Sequence, residues 1–452
     1  MAHRTRALLD SIFASEAMQE VFCGRGGLQG MLDFESALAH AQARAGLFSA
    51  ETADVIGAQC RADLFDLSAL SRGAALSGNS AIPMIRALTE LVAARDPSAA
   101  RLVHFGATSQ DAIDTGLVLQ LRRAIDLLES DLARLARALA ALAHAHRKTP
   151  LLGRTWLQPA PPVTFGLKAA GWLSAVERHR ARLREMAPRI FVTQFGGAVG
   201  TLASLGVHGL AVADELAREL KLAVPDMPWH AHRDRVAEVG TVLALLTGTL
   251  GKIGRDLSLL SQAEVGEAFE PSAPGRGGSS TMPHKRNPIA AAAMLAAATR
   301  VPALCATLLS AMPQEHERGL GGWQAEWVVL PEICLLTSGA LYHAVRAIEG
   351  LTVDVARMQH NIEATRGVVM AEPVALALSR RMDRGAAYQL AERACHDALG
   401  QGRSLREVLA DNALVLEHLS AEELDRLCDP SAYFGLADEW VSRVLAAHGR
   451  SR

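Results

Sequence analysis

Apolar residues along this chain recur at every third and fourth position rather than every second, the spacing that lines one face of a helix. The clearest run is Leu117, Leu121, Ile125, Leu128, Leu132, Leu135, Leu139 and Leu142. This heptad-like stripe predicts one unbroken helix of roughly 35 residues, longer than an ordinary globular helix and in need of long partners. Further apolar-periodic stretches run from Ala160 to Met186, Arg233 to Phe269, Ile289 to Leu309 and Trp323 to Gly350. With the first they make five, and they predict an elongated bundle. Upstream, shorter helices are expected up to about His104, broken at Gly24 to Gly30, Gly73 to Gly78 and Asp96-Pro97. Downstream, Val353 to Arg452 reads as a third group of short helices. The expected fold is therefore all-α, with an N-terminal helical domain over residues 1–105, a central bundle of five long helices over 106–350 and a C-terminal helical domain over 351–452. Alanine-rich faces let helices approach closely, so oligomerisation through the bundle is expected.

Composition narrows the ligand. Of the 452 residues 50% are hydrophobic and the formal net charge is -2, enough for a large core and too neutral to favour nucleic acid or an anionic membrane. Cys23, Cys60, Cys305, Cys334, Cys395 and Cys428 are scattered without a CxxC pair, a usage that fits reduced thiols in a cytoplasm. Met1 to Asp10 lacks the apolar core of a secretion signal, and no apolar run reaches about 18 residues without a charge. A soluble, cytoplasmic protein acting on a small molecule is the expectation. His144/His146 and His230/His232 are spaced by two, which points each pair apart on a helix, so they read as surface or packing residues rather than metal ligands.

Candidate chemistry concentrates in Gly277-Gly278-Ser279-Ser280-Thr281-Met282-Pro283-His284-Lys285-Arg286-Asn287-Pro288. Pro271, Pro274, Gly275, Gly277 and Gly278 forbid regular structure ahead of it, and Pro288 opens an alanine-rich helix, as a proline in a first turn does. Two hydroxyls, a cation and an amide are held at a loop-to-helix junction, where unpaired N–H groups and the helix dipole are expected to stabilise a carboxylate or oxyanion beside Ser279. The spacing of a nucleotide-binding loop is missing. A second candidate, His104-Phe105-Gly106-Ala107-Thr108-Ser109-Gln110-Asp111, places two hydroxyls at the start of the longest helix, where Thr108 and Ser109 suit an N-terminal cap or a carboxylate contact.

GSSTMPHKRNP resembles the signature loop of the fumarase/aspartase superfamily, GSSxMPxKxNP, over eleven consecutive residues. The resemblance implies that Ser279 is the base that removes a proton alpha to a carboxylate, and that Lys285 and Asn287 hold that carboxylate and the charge that develops. A serine hydroxyl is a poor base, so its alkoxide needs cations and N–H donors in a closed, dry site, and the Pro/Gly hinges fit a lid. GATSxDxxDT resembles the superfamily's first shared region, in which the Thr-Ser pair contacts the substrate acid. Gly196-Gly197-Ala198-Val199-Gly200-Thr201-Leu202 resembles the glycine-rich region before its third bundle helix, readable equally as a packing turn or a direct participant. The resemblance spans essentially the whole chain and implies a homotetramer with shared active sites and no cofactor or metal.

One departure is informative. Gly153-Arg154-Thr155-Trp156-Leu157-Gln158-Pro159-Ala160 resembles the Thr-His-Leu-Gln-Pro-Ala segment of the superfamily's lyases, with Trp156 in place of the histidine. The glutamate that pairs with that histidine, seven residues beyond the signature lysine, is here Ala292. Losing both partners removes a device for protonating a leaving group. Amines and water need such help, worth roughly 10²–10⁴-fold, whereas a carboxylate, whose acid has a pKa of roughly 4, departs unaided. Elimination of a carboxylate, or its addition to an activated double bond, needs only the base and the enolate clamp; within one molecule this is lactone opening and closing. Ser77-Gly78-Asn79-Ser80-Ala81-Ile82-Pro83 and Gln314 to Trp327 likewise differ from adenylosuccinate lyases and resemble the carboxymuconate-lactonising branch of the superfamily. The resemblance implies a tricarboxylate substrate contacted by Thr108, Ser109, Thr155, Trp156, Gln158, Ser280, Met282, Asn287 and Arg318. A C–N lyase of the adenylosuccinate or argininosuccinate type, or a silent helical scaffold, are the competing readings.

Overall fold

The computed structural model describes residues 9–273, 275–279 and 281–450. In chain order the main elements are α1 (Gly24–Arg44), α2 (Leu67–Ser77), α3 (Ala81–Ala93), α4 (Ser109–Ala145), β1 (Pro150–Thr155), β2 (Gln158–Thr164), α5 (Phe165–Ile190), α6 (Gly209–Leu220), α7 (Asp234–Leu260), α8 (Ile289–Ser310), α9 (Gly322–Glu349), α10 (Ala371–Ser379) and α11 (Arg384–Gln401). The all-α class holds, and the five long stretches of apolar periodicity correspond to α4, α5, α7, α8 and α9. The stripe of α4, a helix of 37 residues, is buried from Leu117 through Leu139. Each such leucine contributes about 1.5–3 kcal/mol by leaving water.

Local chemistry moves some boundaries. Ala160 to Thr164, expected to begin a helix, is instead strand β2, paired antiparallel with β1. Pro159, Pro161 and Pro162 cannot supply helical N–H groups, so α5 waits until Phe165, where Thr164 Oγ1 accepts the Leu167 N–H at 3.1 Å. Helix α7 stops at Leu260 rather than Phe269. Gly266 takes φ 62, and Ala268–Phe269 then pairs with Thr352–Val353.

The expected break at Gly24 to Gly30 is a helix start. Cys23 Sγ accepts the Gly26 N–H at 3.3 Å, and the glycines lie inside α1. Their role is close approach, since a Cβ on Gly30 would stand 2.8 Å from the Gly116 carbonyl oxygen of α4. Gly78, by contrast, does end α2 in the left-handed region at φ 65, and Asp96 with Pro97 does open a new helical turn.

The chain forms two compact units, each discontinuous in sequence: Met1–Leu132, His179–Gly251 and Ala293–His343 in the first, Ala133–Arg178, Lys252–Ala292 and Ala344–Arg452 in the second. In the first unit, one cluster gathers Leu32, Ile56, Met84, Leu88 and Val92 and another Phe34, Leu38, Leu119, Phe195 and Leu216. Glycines there make room for neighbouring side chains, for a Cβ on Gly240 would lie 2.4 Å from Leu308 Cδ1 and one on Gly251 2.5 Å from Ala298 Cβ. The second unit packs Val374, Leu378, Leu390, Leu405, Leu409 and Leu424 around α10 and α11. By length and composition alone α7, α8 and α9 are apolar enough to cross a membrane, although 61%, 39% and 61% of their most apolar windows is buried within the protein.

Candidate active site

The first unit brings together four segments singled out in the sequence. Thr108 directly precedes α4, and the helix start is capped in the reverse of the expected sense. The Asp111 carboxylate accepts the Thr108 N–H at 3.0 Å, half of a capping box, which leaves both hydroxyls for other partners. Thr108 Oγ1 accepts from Arg318 Nη1 at 3.1 Å, and Ser109 Oγ accepts from Asn79 Nδ2 at 3.0 Å. The second Arg318 nitrogen donates to the Ala198 carbonyl at 2.9 Å.

Asp111 is completely buried and takes four further donors. These are the Gly196 and Gly197 N–H groups at 3.1 and 2.9 Å, Gln194 Nε2 at 3.2 Å and His230 Nε2 at 2.7 Å. A carboxylate in so little water persists only with its lone pairs filled, and backbone amides fill them here. The glycine-rich segment is thus more than a packing turn, because its amides hold the carboxylate that shapes the helix start. It precedes the third bundle helix, α7, with short helix α6 between the two. His230 is likewise no surface or inert packing histidine; it is buried and donates to Asp111.

Behind Asp111 lies a buried ion cluster. Arg233 donates to both Asp114 oxygens at 2.7 and 3.1 Å and to Glu326 at 3.0 and 2.5 Å. Trp323 Nε1 adds a donor to Asp114 at 3.0 Å, and Arg233 stacks 5.0 Å from the Trp229 ring centre. Burial pushes the Glu326 carboxyl upward despite Arg233. It also opposes the Arg233 charge, yet the two carboxylates hold that guanidinium above its ordinary range. The two shifts pull in different directions for one pair, and the arginine decides it. A guanidinium bonded to two carboxylates stays charged. At the near end of the same turn His104, at φ 58, binds Glu35 at 2.6 Å. Burial alone would lower the imidazole, but the Glu35 carboxylate outweighs it and raises its pKa.

The second unit carries the signature loop and the hairpin tip. Ser279 Oγ accepts the Met282 and Thr281 N–H groups at 3.0 and 3.3 Å, two donors aimed where an alkoxide would form. Asn287 closes the loop, its N–H and Nδ2 both reaching the Gly277 carbonyl, at 2.9 and 3.1 Å. Lys285 and Met282 are exposed. Ser280 lies outside the described residues, as does Pro274. The anion-binding amides expected at the start of α8 are already occupied, because buried Glu270 accepts from Ala290 N and Ala291 N at 2.9 and 2.8 Å. The Ala290 and Ala291 amides of this first turn are therefore not free for an incoming anion.

Thr155 and Gln158 flank a two-residue turn in which Trp156 and Leu157 take φ 53 and 63. Asn-Gly usually fills such a turn; bulky residues there cost about 1–3 kcal/mol each. Just below the turn the hairpin is held by Arg154, which grips both Glu267 oxygens at 2.9 and 2.7 Å. Trp156 is 97% exposed and Leu157 75%.

Of the expected site residues, Thr108, Ser109 and Arg318 meet in the first unit. Thr155, Trp156, Gln158, Ser279, Met282, Lys285 and Asn287 belong to the second. Sequence reading missed Asp114, His230, Arg233 and Glu326. Their signal was present in Asp111 and Asp114, two charges three residues apart at the start of a helix whose stripe is otherwise leucine.

Two family models match the chain, a lyase family over residues 12–303 and the adenylosuccinate lyase C-terminus over residues 367–444. A 3-carboxy-cis,cis-muconate cycloisomerase from Pseudomonas aeruginosa is 58% identical over 441 residues, covering 98% of this chain and 96% of the relative. A nitrosuccinate lyase from Streptomyces davaonensis is 42% identical over 452 residues, covering 98% and 95%. Among solved structures, the 3-carboxy-cis,cis-muconate lactonizing enzyme from Pseudomonas putida superposes with a TM-score of 0.94 at 54% identity, covering 98% of this chain and 99% of that one.

Proposed function

Because the chain belongs to the fumarase/aspartase superfamily, we propose, on that premise, that its site interconverts 3-carboxy-cis,cis-muconate and 4-carboxymuconolactone, a step of protocatechuate breakdown. The observation that carries the reading is full-length identity of 58% to a relative named as a 3-carboxy-cis,cis-muconate cycloisomerase, against 42% to one named as a nitrosuccinate lyase. The paired loss of a general acid at Trp156 and Ala292 agrees with it.

In the opening direction Ser279, as alkoxide, takes a proton from the carbon next to a substrate carboxylate. The electron pair moves to form the new double bond, the ring C–O bond breaks, and the carboxylate departs with the bonding pair. Closure reverses each step, with the carboxylate adding to the double bond and the Ser279 hydroxyl returning the proton. The N–H groups of Thr281 and Met282 support the alkoxide, and Lys285 and Asn287 stabilise the enolate-like charge. Thr108, Ser109 and Arg318 bind a remote carboxylate, while Thr155, Gln158 and Met282 line the remainder.

The assembly is a homotetramer in which several copies furnish one site. Trp156 covers nothing in a single copy, and Leu245, Leu309 and Val328 on the long helices are 55%, 48% and 67% exposed, which supports burial by further copies. A cytoplasmic location fits six cysteines that are all free thiols. The test is an ultraviolet assay of purified protein with 3-carboxymuconate, adenylosuccinate and argininosuccinate. Turnover of the first alone supports the reading, and fumarate release from either of the others with no lactone formed overturns it.

A further inference from the structure

Asn79 neighbours Ser109 and stands on a segment that departs from the lyase pattern. Its side chain is fixed at both ends. Oδ1 accepts the Ala81 N–H at 2.9 Å, and a backbone N–H can only donate, so the amide cannot be turned over. The other end must then be the NH₂ group, which stands 3.0 Å from Ser109 Oγ. Ser109 has to accept that bond, so its own proton points elsewhere. Thr108 is under the same constraint, because Arg318 has only N–H donors and reaches Thr108 Oγ1 at 3.1 Å. Two adjacent hydroxyls at the start of α4 therefore each receive one bond from the protein and keep one proton to give.

We infer that Asn79 is a positioning residue for specificity: it holds the Ser109 hydroxyl as an obligatory donor and so tunes this helix start for the carboxylate of a polyanionic substrate. The inference rests on the cycloisomerase reading for the identity of that substrate. A hydroxyl free to rotate can offer a lone pair or a proton; one that already accepts from a fixed amide offers the proton. For a tricarboxylate, every donor locked in advance lowers the ordering cost of binding.

Asn79→Asp tests this with little change of shape. One carboxylate oxygen still caps Ala81, while the other accepts from Ser109 and turns the hydroxyl proton back into the protein. A charge is also introduced, so the variant is made both in the native background and with Ser109→Ala, where no hydroxyl remains to be turned. We expect Asn79→Asp to raise KM for 3-carboxymuconate roughly tenfold or more in the native background, the scale of a lost charge-assisted hydrogen bond. In Ser109→Ala the same change is expected to raise KM only about two- to threefold, kcat moving less than KM in both and melting temperature staying near that of the parent. Equal factors in the two backgrounds, or an unchanged KM in Asn79→Asp, overturn the inference. Absence of turnover by the unsubstituted protein overturns the cycloisomerase reading instead; the coupling is then read from binding of citrate by calorimetry, where equal losses in the two backgrounds again overturn it.

Discussion

At the scale of single residues, Ser279 is the group for which the proposed mechanism has no substitute. Its oxygen receives two backbone N–H groups, which can steady a negative charge but cannot remove a proton. Ser279→Ala is expected to lower kcat by about 10²–10⁴-fold with melting temperature unchanged, since the side chain is on a loop and half-exposed; retention of more than about a tenth of turnover would move the base elsewhere. The loop's identity was legible because eleven residues in a row matched a pattern with a chemical reason. The fate of its helix-start amides was not, because Glu270 reaches Ala290 and Ala291 from 20 and 21 residues upstream. A second residue-scale expectation concerns pH. His104 has a folded pKa raised above the ordinary 6.5, so its pairing with Glu35 stabilises the protein fully below about that value and is lost as pH rises through the raised pKa. His146, lowered by burial, acts in the opposite sense. The contribution of His104 is therefore read as a difference: the stability gap between parent and His104→Gln, followed by chemical unfolding, should shrink from pH 6 upward. A gap that stays constant or widens rules out the pairing as a source of stability.

At the scale of elements, the start of α4 and the segment from Gln314 to Trp327 are held together by charge. Arg233 sits between Asp114 and Glu326 with all three side chains essentially out of water. Removing Arg233 leaves two buried carboxylates with no cation between them, which costs about 3–5 kcal/mol. Arg233→Met should accordingly lower stability by about that amount in urea unfolding, whereas Glu326→Gln, which leaves Arg233 paired with Asp114, should lose less. Equal losses in the two variants, or none, would show that packing rather than charge joins these elements. Helix positions were readable because the leucine period survives in the structure from Leu117 to Leu139. The hairpin was not, because Trp156 and Leu157 carry no turn signal and occupy left-handed backbone more usual for Asn-Gly. Three prolines within four positions, Pro159, Pro161 and Pro162, were the available hint that no helix could begin at Ala160.

At the scale of the whole molecule, the exposed tip matters most. Two bulky apolar residues in strained backbone, with Trp156 97% in solvent, are a poor arrangement for a protein that works alone. In the proposed tetramer the tip closes a site completed by other copies, and the hydroxyl pair of one chain serves the loop of another. This makes an expectation that no single-chain account shares. Ser279→Ala and Thr108→Ala, each nearly inactive by itself, should regain a measurable fraction of parental activity when the two are unfolded together and reassembled, because some sites then receive an intact serine from one copy and an intact threonine from the next. Sedimentation of the same mixture should show one species near four times the chain mass. Mixed samples that stay as inactive as their components, although reassembled to that mass, would place Ser279 and Thr108 of each site on one chain; full activity in a sedimenting monomer would remove the shared site altogether.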